Sequence, residues 1–236
     1  MCVKNSFNTL PAGFPAGHVV SAEGGRGRPV MWVSEQAGPD IQRWWEPMFD
    51  DHPQTGLYPL LLDESLDIDL LGTAPTADVI ERVPGDQLIR EYFDFSGNGW
   101  PGFAPAQRLA VHPGYAAARL ASEGADTARL ALVPSVRGAD TPALIGWTGA
   151  MDYTWDVEKI SAVLRTWEDR FGVRVVRLGG TTLELSVAAP PSTITEARRI
   201  TLEHAGFCPS IWQEEVALNS YATGLVKRSA WRFQWA

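Results

Sequence analysis

Three side chains of types that do chemistry lie close together in the last part of the chain: Glu203, His204 and Cys208. A thiol beside an imidazole can be activated as a nucleophile, as in thiol-dependent hydrolases. A histidine and a cysteine four residues apart on a helix could also supply half of a metal site. A small enzyme of the thiol hydrolase type, with its site around these residues, is therefore one hypothesis for the function.

Structural roles are the alternative for the same residues, and we favour them. Gly206 predicts that the helix ends before Cys208, which would remove the four-residue spacing. His204 shares a stripe with Ile200, as a core-edge histidine with one hydrogen bond does, and free cysteine is among the most buried residue types. The other histidines, Cys2 and the carboxylates are not spaced to supply two further metal ligands. The sequence therefore predicts no metal site and no cofactor.

The last part of the chain also shows the elements that must position this cluster. Asp156 is a candidate N-cap for an amphipathic helix that ends at Gly172, and Thr193 with Glu196 predicts a capping box for the next helix. The remaining predictions are strands at 128–133, 143–147, 173–178, 181–187 and 231–235, a two-glycine turn at 179–180 and a helix at 215–226. This β-α-β-β-α-β order with one extra helix predicts an α+β, ferredoxin-like layer of helices on a sheet.

A smaller strand-helix-strand region precedes this layer. Strands are predicted at 30–33 and 57–62. Between them, a helix begins at Pro39 and is kinked or ended by Pro47, before a turn at 52–56.

Residues 86–93 favour a short helix, whereas 95–105 are so rich in turn formers that they predict a loop. The aromatic residues Trp100 and Phe103 of this loop could line a ligand site. The alternative, which we favour, is a plug that packs both rings over the core, because large apolar side chains are normally explained by burial.

The length of 236 residues suits one large or two small domains. We divide the chain into a flexible lead at 1–28, an α/β leading region with long loops at 29–125 and a C-terminal α+β domain at 126–236.

The net charge of −8 is distributed unevenly. Residues 1–125 contain 16 acidic and 8 basic residues, whereas the rest of the chain contains 12 of each. Such a surface repels nucleic acid and favours a basic partner. Asp63, Asp67 and Asp69, on a connection predicted to be exposed, are therefore candidate binding residues. A non-enzymatic protein that binds a basic protein partner, as an immunity protein binds a toxin, is the function that we favour.

Neither a membrane span nor a disulfide framework is indicated. No run approaches the 18 apolar residues of a spanning helix, and residues 1–20 lack a hydrophobic signal core. Cys2 and Cys208 form no pattern of spacings, so two reduced thiols and a cytoplasmic location are expected.

Several segments together resemble a known bacterial family. They are residues 147–150, 164–172, 182–191 and 203–209, with the Trp-rich terminal strand. This combination resembles the family called domain of unknown function 4253, and Trp32 with residues 52–59 is similar to the leading region of its longer actinobacterial members. The resemblance implies an α+β fold and an intracellular bacterial setting. It implies no activity, because the function of the family is itself unknown.

Two positions depart from the family pattern. Family members carry an acidic residue where Ser210 stands, and they end in an acidic, aromatic-rich tail where this chain has residues 234–236. If those acidic positions serve a site in the family, this chain has lost it.

Overall fold

The computed structural model describes residues 7, 10–212 and 215–235. These residues form seven strands, β1 (Gly17–Ser21), β2 (Pro29–Ser34), β3 (Leu57–Leu62), β4 (Arg129–Pro134), β5 (Arg174–Leu178), β6 (Thr182–Ser186) and β7 (Ala230–Gln234). They also form eight α-helices, α1 (Pro39–Thr55), α2 (Ala77–Arg82), α3 (Gln87–Phe95), α4 (Pro113–Ser122), α5 (Thr141–Ile145), α6 (Val157–Phe171), α7 (Ile194–Phe207) and α8 (Glu215–Leu225). The α+β class is therefore confirmed.

All seven strands belong to one mixed sheet in the order β1-β2-β4-β3-β5-β6-β7. The β3–β5 pair is parallel, and all other neighbours are antiparallel. Because β3 lies between β4 and β5, a strand from the first part of the chain connects β4 with the group β5-β6-β7. Strands β2 and β3, which α1 connects, are not neighbours in the sheet, because β4 lies between them.

The ferredoxin-like layout is not confirmed, because its predicted first strand is a helix. Residues predicted as the strand 143–147 lie in and just after α5, which has Pro142 in its first turn and ends at Gly146 in the left-handed conformation (φ 74°). Every residue of α5 is buried. A short apolar run that is buried on all sides shows no periodicity that distinguishes a helix from a strand. Pro142 at the start of a helix and Gly146 after its end were the better signals. The place beside β5 is taken by β3.

The helices cover the sheet on two faces. Alternate residues of β3 show the division, since Leu61 packs with α1 and α4, whereas Leu60 and Leu62 belong to the larger core on the other face. That core contains buried residues of α2, α3 and α5–α8. Strand alternation therefore places two separate layers of helices around one sheet.

Helix α1 is longer than predicted, because it continues through Pro47 and takes up most of the predicted turn. Its buried side chains Ile41, Trp45 and Met48 lie on one face, whereas Pro47 is exposed. Burial of these apolar side chains offsets the one backbone hydrogen bond that a proline removes. The helix ends at Gly56, which adopts the left-handed conformation.

Three further differences concern elements that the sequence patterns did not indicate. Strand β1 lies inside the predicted flexible lead and pairs with β2, and helices α2 and α4 lie in the long connections of the leading region. Cys2 and residue 236 lie outside the described residues. None of the helices in the described part of the chain has the length and apolar character needed to cross a membrane.

Candidate functional site

Glu203 is fully buried on α7, and its carboxylate accepts four hydrogen bonds. Oε1 accepts from the backbone N–H of Ala104 (2.7 Å) and from Arg170 Nη1 (2.9 Å). Oε2 accepts from Trp167 Nε1 (2.8 Å) and from Arg170 Nη2 (2.6 Å). A carboxylate has about four lone-pair sites, so none remains for a substrate proton or a metal ion.

Arg170 joins this carboxylate to the loop that carries Trp100 and Phe103. Besides Glu203, its guanidinium donates to the carbonyl oxygen of Ala104 (2.8 Å) and lies 4.4 Å from the centroid of the Phe103 ring. Both backbone groups of Ala104 are thus held by the Glu203–Arg170 pair. The pair acts as a clamp between the loop and helices α6 and α7.

His204 lies in an aromatic cage and is also fully buried. The ring centroids of Trp231 and Phe233 are 4.4 and 4.9 Å from that of His204, and its Nδ1 shares a hydrogen bond of 2.9 Å with the Tyr221 hydroxyl. Burial, together with the positive charge of Arg170, lowers the pKa of His204 to about 3. The imidazole is therefore neutral at pH 7, with Nε2 unpartnered among the described residues.

Cys208 is buried at the end of α7, where its thiol donates to the carbonyl oxygen of Gln234 (3.2 Å) and lies 3.2 Å from Ser210 Oγ. Ser210 also donates to the Gln234 oxygen (2.7 Å), so the two departures from the family pattern meet at this thiol. Burial raises the pKa of Cys208. Neither partner carries a positive charge that would favour a thiolate.

The helix end predicted at Gly206 is confirmed to within one residue. Helix α7 ends at Phe207, and Cys208, at its C-cap, has non-helical dihedral angles, although its N–H donates to the carbonyl oxygen of His204. A Cβ atom at Gly206 would lie 2.8 Å from the Ile89 side chain, so this glycine also permits the close approach of α3. None of the side-chain hydrogen bonds described above joins Glu203, His204 or Cys208 to one another, so their closeness in sequence brings no shared chemistry.

Aromatic side chains from three of the segments that carry the family resemblance form one core. Trp167 from α6 stacks on Phe233 of β7 (centroids 5.5 Å apart), and Phe207 of α7 contacts both rings. Residues 129–236 match the family model described as domain of unknown function (DUF4253). The chain matches no curated protein and no solved structure. The match begins at the first residue of β4, so the sheet of the DUF4253 region is completed by β3 from outside it.

The loop that was predicted at 95–105 begins after Phe95, where α3 ends, and is bonded through Ala104 to Glu203 and Arg170 of the DUF4253 region. Trp100 packs on Phe93 (centroids 5.3 Å apart) and on Phe103 (5.9 Å). These contacts support packing, and a ligand site at Trp100 and Phe103 remains a prediction.

Asp63, Asp67 and Asp69 lie on a segment of residues 63–70, which we call the acidic loop. Asp63 and Asp67 each accept a hydrogen bond of 2.9 Å from a backbone N–H two residues later. The bond from the Ser65 N–H lowers the pKa of Asp63, and Ser65 Oγ accepts from the Gly180 N–H. The loop is therefore fixed to the β5–β6 hairpin, and the charged form of Asp63 is favoured.

An apolar hollow of about 280 Å³ adjoins the acidic loop. Thr148 and Trp155 line it, and the Thr148 hydroxyl donates to the carbonyl oxygen of Leu70 (3.4 Å). Leu70 and Trp155 are 67% and 79% exposed. Exposed large apolar side chains with a polar rim are typical of a protein-binding surface.

The sequence patterns did not indicate several of these features. Arg170, the partner of Glu203, and Tyr221, the partner of His204, lie 33 and 17 residues from them along the chain. Trp155 could have been noticed because it falls outside the apolar stripe of α6. Within the described residues, no group of three or more His, Cys, Asp or Glu side chains is arranged to hold a metal ion.

Proposed function

We propose that this protein is a non-catalytic binding protein whose acidic loop and apolar hollow take a basic protein partner. The observation that carries the proposal is the fixed acidic loop beside the exposed rings and side chains of the hollow. We also propose a bacterial cytoplasmic setting, on the strength of the family resemblance. A stoichiometric role, like that of an immunity protein, fits this kind of surface.

The physical argument combines charge with an apolar anchor. Exposed carboxylates at Glu64, Asp67 and Asp69 attract a basic partner and speed its approach, although they add little affinity after screening by salt. Trp155 can supply the affinity, since a tryptophan that becomes desolvated at an interface is a common hot spot. The backbone hydrogen bonds that fix the loop reduce the entropy lost on binding.

A thiol hydrolase with a site at Glu203, His204 and Cys208 is the second hypothesis, and the geometry gives it no support. It would need an exposed, activated thiol, whereas burial raises the pKa of Cys208 and lowers that of His204. Nucleic-acid binding is disfavoured by the negative charge.

Matched charge variants test the proposed surface. Glu64→Gln with Asp69→Asn removes two carboxylates from the acidic loop, and Glu46→Gln with Asp50→Asn removes two exposed ones from α1. The tagged unmodified chain, the two double variants and Trp155→Ala are each used to capture partners from host lysate. The capture is done in roughly 0.1 M salt and in roughly 1 M salt, where the Debye length is about 10 Å and about 3 Å. Captured proteins are identified by mass spectrometry.

We expect one basic partner in equimolar amount at low salt. Its capture should weaken at high salt, in the acidic-loop variant and in Trp155→Ala, but not in the α1 variant. Equal capture by the acidic-loop and α1 variants would show that only net charge matters. A partner captured equally well by Trp155→Ala would exclude the hollow from the interface.

A further inference from the structure

A further concave surface lies between α4 and the ends of β6 and β7. It has a volume of about 670 Å³, within the range of about 300–1,000 Å³ that is usual for small-molecule sites. Its apolar part includes Val111, Leu120, Val187 and Ala188. We call it the basic cleft, because Arg108, Arg119 and Lys227 also line it.

Backbone hydrogen bonds between separate segments hold the walls of the basic cleft. The Ala110 N–H donates to the carbonyl oxygen of Ala188 (2.8 Å), and the Lys227 N–H donates to that of Pro191 (2.8 Å). The Val187 N–H donates to the oxygen of Ser229 (2.8 Å). The cleft is therefore formed before any ligand arrives, which lowers the entropic cost of binding.

Three positive charges meet around this apolar surface, although the protein as a whole carries −8. Arg108, Arg119 and Lys227 come from three different segments, and none of them has an ion-pair partner among the described residues. Glu123 is the acidic residue of the lining, so the local charge stays positive. An anionic group on an apolar body complements such a surface in both charge and polarity.

Lys227 adopts a backbone conformation that a glycine would adopt more easily. Its φ is 59°, in the left-handed region, two residues after the end of α8. Glycine is the usual residue at such a helix end, because a Cβ atom costs conformational energy there. The lysine side chain is thus present at the cleft in spite of a backbone that disfavours it, and strained positions of this kind are often functional.

We propose that the basic cleft binds a small amphipathic organic anion, which places its apolar chain on Val111, Tyr115 and Leu120 and its anionic group between Arg108, Arg119 and Lys227. The site is independent of the acidic loop and of the proposed protein partner. It performs no chemistry in this proposal; it is a recognition site for a carboxylate or phosphate attached to an aliphatic or aromatic body.

The test is a calorimetric titration of the full chain with octanoate, octyl phosphate and 1-octanol, each below its aggregation concentration. The three probes share one chain, so they separate the anionic group from the apolar body. We expect at least one of the two anions to bind with one site per chain. Octanol should bind at least about tenfold more weakly, because it lacks charge-assisted hydrogen bonds.

Lys227→Gly separates binding from folding, since it removes the cation and also relieves the backbone. We expect binding of the anion to weaken by about threefold to tenfold, while the thermal unfolding midpoint stays equal to or above that of the unmodified chain. Arg119→Gln should weaken binding similarly. Arg228→Gln is the control, because it removes the neighbouring positive charge, which does not line the basic cleft.

Clear results would overturn the proposal. It is wrong if neither anion binds, or if octanol binds as tightly as the anions. It is also wrong if Arg228→Gln weakens binding as much as Lys227→Gly does, since the attraction would then come from general charge and not from the cleft.

Discussion

Replacing Glu203 with glutamine tests whether this buried carboxylate holds the fold together. The change keeps the size of the side chain but turns one acceptor oxygen into an N–H donor that faces donors from Ala104, Trp167 or Arg170. It also leaves Arg170 without its ion-pair partner at a site where only 15% of its side chain is exposed. Breaking a buried pair by removing one partner costs about 3–5 kcal/mol.

This cost is a large part of the total stability, which is about 5–15 kcal/mol for a typical domain. Urea denaturation at pH 7 measures the free energy of unfolding of Glu203→Gln, Arg170→Met and the double variant. We expect each single change to cost about 3–5 kcal/mol and the double variant to cost clearly less than their sum, because the two residues share one interaction. Arg82→Gln, which breaks an exposed ion pair with Asp78, should cost under about 1 kcal/mol.

Limited proteolysis gives a second measurement of the same variant. Because both backbone groups of Ala104 are held by Glu203 and Arg170, the loop after Phe95 should be cleaved faster in Glu203→Gln than in the unmodified chain. A loss of less than about 1 kcal/mol, or strictly additive single changes, would refute the clamp.

Further predictions concern the neutral histidine, the buried thiol and one close backbone approach. The pKa of His204 in the fold lies below its usual value, so the free energy of unfolding should decrease as the pH falls below about 6.5. The decrease should be up to about 1.4 kcal/mol per pH unit. Urea denaturation between pH 6.5 and 5 should show that His204→Phe removes this pH dependence. In a Cys2→Ser variant, Cys208 should react slowly with a thiol reagent until urea unfolds the chain. Gly146→Ala should lower the free energy of unfolding by about 1–3 kcal/mol more than Gly97→Ala does. Both glycines have φ 74°, but only at Gly146 would the new Cβ atom lie 2.4 Å from a backbone oxygen.

Each of these predictions has an opposing result. A pH slope that persists in His204→Phe would show that carboxylates and not the histidine govern stability above pH 5. Fast labelling of Cys208 in the folded chain would revive the thiol hydrolase hypothesis. Equal losses at Gly146 and Gly97 would mean that neighbouring backbone relaxes to accept the methyl group.

Local sequence signals determined the elements whose ends are marked by their own residues. The capping box of Thr193 and Glu196 starts α7, and Gly172 ends α6 in the left-handed conformation, as predicted. The alternation of Trp231, Phe233 and Trp235 correctly gave the buried face of the last strand. These signals work because capping and side-chain alternation depend on residues only a few positions apart.

Local signals failed where packing decides between two conformations. The run at 143–147 suits a strand or a helix equally well in isolation, and Pro47 breaks a helix only when burial of the opposite face does not offset it. Gly206 is a glycine because α3 lies against it, which its neighbours in sequence do not indicate.

The sequence by itself determined the α+β class, most strands and helices of the last part of the chain, the acidic character of the first part and the family resemblance. Only the tertiary structure decided that β3 lies between β4 and β5, that Arg170 neutralises Glu203, and that Arg108, Arg119 and Lys227 meet at one cleft. Sequence patterns report interactions between near neighbours, whereas strand order, ion pairs and clefts join residues that are far apart along the chain and adjacent only after folding.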